Sequence, residues 1–506
     1  MNVVVDPKLA QPKTSGAQSF LRAKDKKMLI GGAWVDAVSG ARFDSKDPAT
    51  GAVIGTVPRG AKADDDAAVK AARDSFTKGV WRDKTPDERA RVMWKIADLL
   101  EANIDELAEL ETLDQGKPLF VGRWAEIPGA IGQFRYFAGM ASKIHGETIT
   151  PSINYQPPGK KIFAYTVKEP IGVVGAITPW NSPLVLEAMK VAPCLAAGCS
   201  MVLKPAEDTS LTAIRMAELI MEAGVPAGVF NVVTGLGAEA GQALAEHHDV
   251  DKIAFTGSTA TGRKILQAAG GNLKKVALEL GGKSPTIVLA DAEMDLAIPG
   301  AANAVFFNTG QVCVAGTRLY VEKKAFDKVV AGVADIAKGM KLGHGLDPAT
   351  QIGPVVNKVQ ADKIKGYIDG GRAAGAEIVC GGAQSGPAGT FITPTVIAKT
   401  DHKMKVVQEE IFGPVVVAMP IESLDDVPRL ANDSRYGLAA SVWTQDLSKA
   451  TRYASAIQAG TVWVNCHLMF DAALPIGGYK ESGWSRDSGT QAVDNYLETK
   501  TVCMVV

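Results

Sequence analysis

The chain has 506 residues, 46% of them hydrophobic and 22% charged, too many for one hydrophobic core and typical of a globular protein built from two or three packed units. Its 54 basic and 55 acidic side chains leave a formal charge of −1, so no bulk field draws it to nucleic acid or an anionic membrane. No apolar run approaches the roughly 18 residues needed to cross a bilayer.

The first residues, MNVVVDPKLAQPKTSGAQSFLRAKDKK, read as a polar lead-in without the apolar stretch and cleavage site of a secretory signal. From Leu29, LIGGAWVDAVSGARFDSKDPATGAVIGTVP reads as short strands joined by Gly/Pro turns. Thr85-Pro86-Asp87-Glu88 is a capping box with proline at the first helical position. It opens a predicted helix whose apolar stripe is Val92, Ile96, Leu99, Leu100, Ile104 and Leu107. SINYQPPGKKIFAYTVKEP (152–170) reads as two strands. Between Ile171 and Gly281 the runs IGVVGAITP, SMVLKP, GVFNVVTG, KIAFTG and KKVALELGG alternate with amphipathic helical stretches such as LTAIRMAELIMEAG. That alternation predicts a parallel, doubly wound sheet with ligands at the carboxyl ends of its strands. A second alternating series, including RLYVEKKAFDKVVAGVADIAKGM, PVVVAMPI and TVWVN, runs from Ser284 to about Gly478. The last residues, LETKTVCMVV, are β-prone. They and 152–170 are apolar edges with no obvious partner in either sheet, so pairing with another copy is expected, as a dimer or tetramer.

The six cysteines (Cys194, Cys199, Cys313, Cys380, Cys466, Cys503) and six histidines are dispersed and show no metal-ligand spacing. Free thiols in a reducing cytoplasm, and no metal, are the expectation. A plain G-x-G-x-x-G is absent. Gly235-Leu236-Gly237 is followed by Gly241, one residue late, and a tight strand-to-helix turn explains it equally well. FTGSTATG (255–262) offers a second candidate, where Gly257, Ser258 and a helix N-terminus could hold a phosphate.

Six motifs carry more. FNTGQVCVAGTR (307–318) resembles the active-site cysteine signature of the aldehyde dehydrogenase superfamily, and LELGGKSP (278–285) its glutamate signature. TPWNSP (178–183), KPAED (204–208), EEIFGPV (409–415) and GGYKESG (477–483) match in the expected order, over nearly all of the chain from Leu29. The resemblance implies an α/β fold of the aldehyde dehydrogenase type, with two doubly wound parallel domains and a small β oligomerisation element. By that analogy 1–149 with 171–281 bind the dinucleotide, 282–481 carry catalysis, and 150–170 with 482–506 form the oligomerisation element.

The chemistry gives each matched residue a reason. Oxidising an aldehyde needs a tetrahedral carbon that can expel hydride, and a thiolate makes one by adding to the carbonyl. Cys313 is the only cysteine in such a motif. The resemblance makes the Asn181 side chain, with the Cys313 backbone N–H, the oxyanion donors. Glu279 becomes the base that activates water to cleave the thioester. Lys190 either joins a proton relay or serves as an ion-pair partner. For the cofactor, Lys204 and Glu207 resemble the pair that binds the adenosine ribose, and a carboxylate there repels a 2′-phosphate, so NAD is favoured with NADP possible. Glu410 and Phe412 resemble the nicotinamide-side contacts, Ser258 the pyrophosphate contact, and Thr178 and Trp180 belong to the same loop. Gly237, Gly241 and Gly257 complete the cofactor candidates.

Ser182, Leu186, Met189, Val312, Val314, Leu468 and Phe470 are the expected substrate tunnel, largely apolar, which points to an aromatic or medium-chain aldehyde. NCHLMFDAALPIGGYKESGW (465–484) is similar to phenylacetaldehyde-type members. Ser182 stands where many relatives carry an aromatic residue, Ile476 where phenylalanine is common, and Lys275 where some have an arginine at the subunit contact with Arg486 and Glu498. Two alternatives stand beside oxidation to the free acid: an acylating, coenzyme A-dependent semialdehyde dehydrogenase, and a non-catalytic protein on the same scaffold. Glu279 weighs against the first, and the intact triplet of Cys313, Asn181 and Glu279 against the second.

Overall fold

Thr85 caps its helix in the computed structural model, which describes residues 3, 5–153, 155 and 157–506. Thr85 Oγ1 accepts from the Glu88 amide at 3.3 Å, and the Glu88 carboxylate accepts from the Thr85 amide at 2.7 Å. Met93, Ile96, Ala97 and Leu100 of the helix Pro86–Ala102 are buried. The helix stops earlier than the apolar stripe suggests. Asn103 leaves helical geometry and its side-chain amide donates to the Leu99 carbonyl at 2.8 Å, so Ile104 and Leu107 belong to a separate helix, Ile104–Gln115.

An eight-stranded sheet runs in the order Ala33–Val35, Met28–Ile30, Phe230–Val232, Ser200–Lys204, Val173–Ile177, Lys252–Thr256, Lys275–Glu279, Gly483–Trp484. Its five inner strands are parallel and are the five runs read from the sequence; the flanking strands are antiparallel. Alternation decides which side chain goes to which face. Val174, Ala176, Met201 and Leu203 pack with one helical layer, and Val173, Val202, Ile253 and Phe255 with the other. Two covered faces define a doubly wound sheet.

The second sheet has seven strands, ordered Glu377–Cys380, Thr395–Ala398, Val415–Ile421, Arg318–Glu322, Pro285–Val288, Ala439–Trp443, Thr461–Val464, and only the first pair is antiparallel. It is covered on both faces in the same way, with Ile287, Val415 and Val417 on one side and Val288, Leu319 and Val416 on the other.

The two segments without a partner in either sheet pair with each other. Leu497–Val505 runs antiparallel to Ile162–Pro170 from Leu497 opposite Pro170 to Val505 opposite Ile162, and Thr148–Ile149 adds a short third strand. The described residues between 150 and 161 form no strand, and residues 154 and 156 of the expected pair lie outside the described residues, as do residues 1, 2 and 4 of the lead-in. No helix of the described residues is long and apolar enough to cross a membrane.

Candidate active site

Parallel strands deliver their C-terminal loops to one edge of the sheet, and the first sheet brings five motifs there. At the end of Ser200–Lys204, the Lys204 ammonium donates to Glu207 at 3.1 Å, and the Gly237 amide reaches the other carboxylate oxygen at 3.5 Å. Burial pushes the Glu207 carboxyl up, but Lys204 and the backbone donors outweigh it and hold the group below its ordinary range. Gly237–Gly241 form one wide helical turn leading into Gln242–Glu246. The Gly257 amide donates to the Glu279 carbonyl at 3.0 Å, and Ser258 Oγ caps Thr259–Ala269 by accepting from the Thr261 amide at 3.2 Å. Thr178 Oγ1 is buried and has no partner among the described residues.

Glu410 and Phe412 come from the other domain and close this edge. Glu410 Oε1 accepts from the Gly282 amide at 3.1 Å, and a Cβ on Gly281 would collide with that carboxylate. The Phe412 ring meets Trp180 edge-to-face at 5.2 Å.

The thiol sits just beyond, on a backbone that few residues adopt willingly. Asn308, Thr309 and Gly310 all have positive φ, at 48°, 56° and 71°. Such strain persists only where surrounding contacts over-determine it. Here Asn308 Nδ2 donates to the Asn181 carbonyl at 2.8 Å, Gln311 Nε2 to the Asn308 carbonyl at 3.2 Å, and the Val356 amide to Gln311 Oε1 at 2.9 Å. Asn181 Nδ2 donates to the Gln311 carbonyl at 3.0 Å. A side-chain amide has two N–H donors, so this bond uses only one of them.

Cys313 is half-buried among Val312, Val314, Leu438, Trp463, Cys466, Leu468 and Ile476. Burial first, then the Glu410 and Glu279 carboxylates, push its thiol up to about 12, opposed by the neighbouring backbone N–H groups of Val314 and Cys313. Glu279 ends the strand Lys275–Glu279, is buried, and leaves Oε1 without a partner among the described residues. Burial, then Asp487, raise its carboxyl well above the usual range; Lys190 and Arg486 oppose them. A Cβ on Gly477 would lie 2.7 Å from Glu279 Oε1, so glycine is needed for the carboxyl to fit there. Lys190 forms a buried ion pair with Asp487 at 3.0 Å.

The substrate candidates divide. Val312 and Leu468 are partly exposed beside the thiol, while Val314 is sealed in the packing beneath it. Leu186 and Met189 lie one turn apart on the helix Pro183–Ala197, which begins just after Asn181. Phe470 is exposed and stands edge-on to Trp463 at 5.7 Å. Ser182 Oγ donates to Glu126 at 3.0 Å, a partner that no local sequence signal indicates. Asp487, Gln311 and Asn308 also escaped the sequence reading; three consecutive residues at positive φ, only the last of them glycine, become visible only as backbone geometry. Lys275, read as part of a subunit contact, pairs with Glu498 of its own chain at 2.7 Å.

Two doubly wound domains with a thiol, a carboxamide and a carboxyl gathered where they meet define an oxidoreductase of the aldehyde-oxidising class. Residues 34–502 match the aldehyde dehydrogenase family, and the chain belongs to it. Among its relatives are phenylacetaldehyde dehydrogenase of Pseudomonas fluorescens, 47% identical over 94% of this chain and 95% of that protein, and aldehyde dehydrogenase family 2 member C4 of Arabidopsis thaliana, 48% identical over 95% of each. An aldehyde dehydrogenase of Bacillus cereus, solved as its NAD+ complex, superposes with a TM-score of 0.94 at 44% identity, covering 100% of both chains. The coenzyme A-acylating alternative finds no support in these comparisons.

Proposed function

We propose that the protein oxidises an apolar aldehyde, aromatic or medium-chain, to the free carboxylic acid with NAD, working as a homo-oligomer in the reducing cytoplasm, where its six free thiols persist. The observation that carries this reading is the convergence of Cys313, Asn181 and Glu279, with Asn181 bonded two residues ahead of the thiol at 3.0 Å and Glu279 close enough to raise it.

The strand-end loops suit a dinucleotide. Glu207 is held ionised and offers acceptors to ribose hydroxyls while repelling a 2′-phosphate, Thr178 Oγ1 is an orphaned hydroxyl in the same cleft, and Glu410 and the Trp180–Phe412 pair close its far end. Lys204, Glu207, Gly237, Gly241, Gly257, Ser258, Thr178, Trp180, Glu410 and Phe412 would hold NAD, which when bound supplies the hydride acceptor.

The chain's own residues do the rest. Cys313, once deprotonated, adds to the aldehyde carbon, and the free Asn181 N–H with the Cys313 amide take the developing oxyanion. Loss of hydride from that carbon leaves the acyl group on Cys313 as a thioester. Glu279, once it has given up its own proton, takes one from water as the oxygen attacks the thioester carbon, releasing the acid and the thiolate. Lys190, paired with Asp487, tunes the charge around Glu279. Ser182 and Ile476 leave more room than aromatic residues there would, and the walls formed by Leu186, Met189, Val312, Val314, Leu468 and Phe470 favour an apolar chain or ring. The three-stranded terminal sheet, with Ile149, Phe163, Met504 and Val505 exposed, suits a contact between copies.

A panel of phenylacetaldehyde, benzaldehyde, hexanal, acetaldehyde and succinate semialdehyde, assayed with NAD and with NADP, tests the reading. Highest kcat/KM on the apolar members with NAD is expected. Succinate semialdehyde far ahead of the others would overturn the substrate class, and NADH formation that survives Cys313→Ala would overturn the thiolate mechanism.

A further inference from the structure

His467 lies inside the segment NCHLMF and is buried, outside the groups that act on the aldehyde. Its Nε2 is 3.0 Å from the Val314 carbonyl, one residue past the nucleophile, and its Nδ1 is 2.9 Å from Ser441 Oγ. A carbonyl oxygen only accepts, so Nε2 carries the proton; in the neutral ring Nδ1 then accepts from the Ser441 hydroxyl. Ser441 sits on the strand Ala439–Trp443, and Thr286 Oγ1, on the neighbouring strand, lies 3.4 Å both from it and from the Gly316 carbonyl. The shorter contact to Nδ1 takes the serine proton, which makes the Thr286 contact the weaker one. The Trp463 ring packs on the imidazole at 4.6 Å, and its Nε1 donates to the Met469 carbonyl at 3.1 Å. One side chain thus spans the loop that holds Cys313 and the loop that holds Leu468 and Phe470.

We propose that His467 is a positioning residue: by fixing the Val314 carbonyl it fixes the Val314–Ala315 peptide, whose N–H closes the turn around Cys313 by donating to the Val312 carbonyl at 3.0 Å, and so keeps the sulfur available as a nucleophile. This rests on Cys313 being the nucleophile. Burial pushes the imidazole down to about 4, so the ring stays neutral and its single donor stays on Nε2 through the physiological range. Glu410 and Glu279 are the charged groups that face the sulfur itself, and changes at His467 leave both in place.

The experiment compares His467→Leu, which loses the donor, with His467→Gln, whose side-chain amide can still donate to Val314. The rate of iodoacetamide capture of Cys313, followed on its peptide by mass spectrometry from about pH 7 to about pH 10, reports the thiolate fraction at each pH. His467→Leu is expected to slow capture at every pH and to lower kcat by about tenfold with KM within about twofold, while His467→Gln stays near the parent on both. Should His467→Leu fail to fold, Ser441→Ala, which leaves the ring but removes the donor to Nδ1, is expected to slow capture by a smaller factor. An unchanged capture rate in His467→Leu or, failing that variant, in Ser441→Ala, or a His467→Gln as impaired as His467→Leu, overturns the inference. Activity retained by Cys313→Ala would instead overturn the reading beneath it.

Discussion

Glu279→Gln should make the protein more stable, by a margin that grows with pH, while abolishing turnover. The carboxyl is 7% exposed, one oxygen has no partner among the described residues, and burial with Asp487 raises it well above the ordinary value of 4.5. In the unfolded chain the group ionises near its ordinary value, whereas in the folded protein it gives up its proton only at higher pH. The stability contributed by this group is therefore complete below the unfolded pKa and is lost as pH rises towards the folded one, at up to about 1.4 kcal/mol per pH unit. Glutamine keeps the shape and cannot ionise, so it escapes that loss. Taking about 2.1 cal/mol/K of unfolding entropy per residue over 506 residues, 1 kcal/mol corresponds to about 1 °C. The melting-temperature gap between Glu279→Gln and the parent should thus be near zero at about pH 4.5 and widen from there, by up to about 1 °C per pH unit, until the folded carboxyl itself ionises. Differential scanning at matched ionic strength from pH 5 to pH 8 measures it. In the same variant, rapid mixing with aldehyde and NAD should give a single burst of NADH and then almost no further turnover, since hydride loss precedes the step that needs the base. A gap that stays constant or narrows as pH rises would refute the reading that burial and Asp487 disfavour ionisation of this carboxyl.

Asn181→Ala removes an oxyanion donor and the bond to the Gln311 carbonyl, so kcat should fall about 10²–10³-fold, read by steady-state NADH formation. Glu207→Gln removes the charge opposed to a 2′-phosphate, and the ratio of kcat/KM with NADP to that with NAD should rise by about tenfold or more. Lys190→Met strands Asp487 as a buried charge and should cost about 3–5 kcal/mol in denaturant unfolding, a loss that Asp487→Asn in the same chain largely removes. Gly310→Ala places a Cβ into the Gly413 carbonyl at φ 71°, and should lower the urea midpoint by an amount equivalent to about 2–4 kcal/mol.

Much of the fold was legible because buried parallel strands announce themselves as short apolar runs punctuated by glycine and proline. All five inner strands of the first sheet fall on such runs. Elements defined by a distant partner escaped. Gly483–Trp484 is only two residues long and is a strand because Leu278 and Glu279 lie beside it. The terminal segment was correctly β-prone, but its partner, Ile162–Pro170, lies more than 300 positions earlier, and nothing local ties the two together. Asn103 hid the opposite way: the apolar stripe ran straight through it, and a side-chain bond to the Leu99 carbonyl, which periodicity does not register, divides the helix.

The site follows the same division with a chemical reason behind it. Residues that react must occupy defined backbone environments, and so Cys313, Glu279 and Asn181 travel inside compact motifs that a sequence displays. The groups that set their charge travel alone. Asp487 raises Glu279 and pairs Lys190 across 297 positions, and Glu126 takes the Ser182 hydroxyl from a different helix. His467 shows why such residues are overlooked: within its motif it is one more side chain among apolar neighbours, and only the two contacts at 2.9 and 3.0 Å separate it from packing. A thiol pushed up to about 12 beside two carboxylates is a poor nucleophile by its surroundings alone. The contacts that hold the turn around the thiol in line, the Ala315 N–H on the Val312 carbonyl and His467 on the Val314 carbonyl, therefore carry weight in this site out of proportion to their visibility in the sequence.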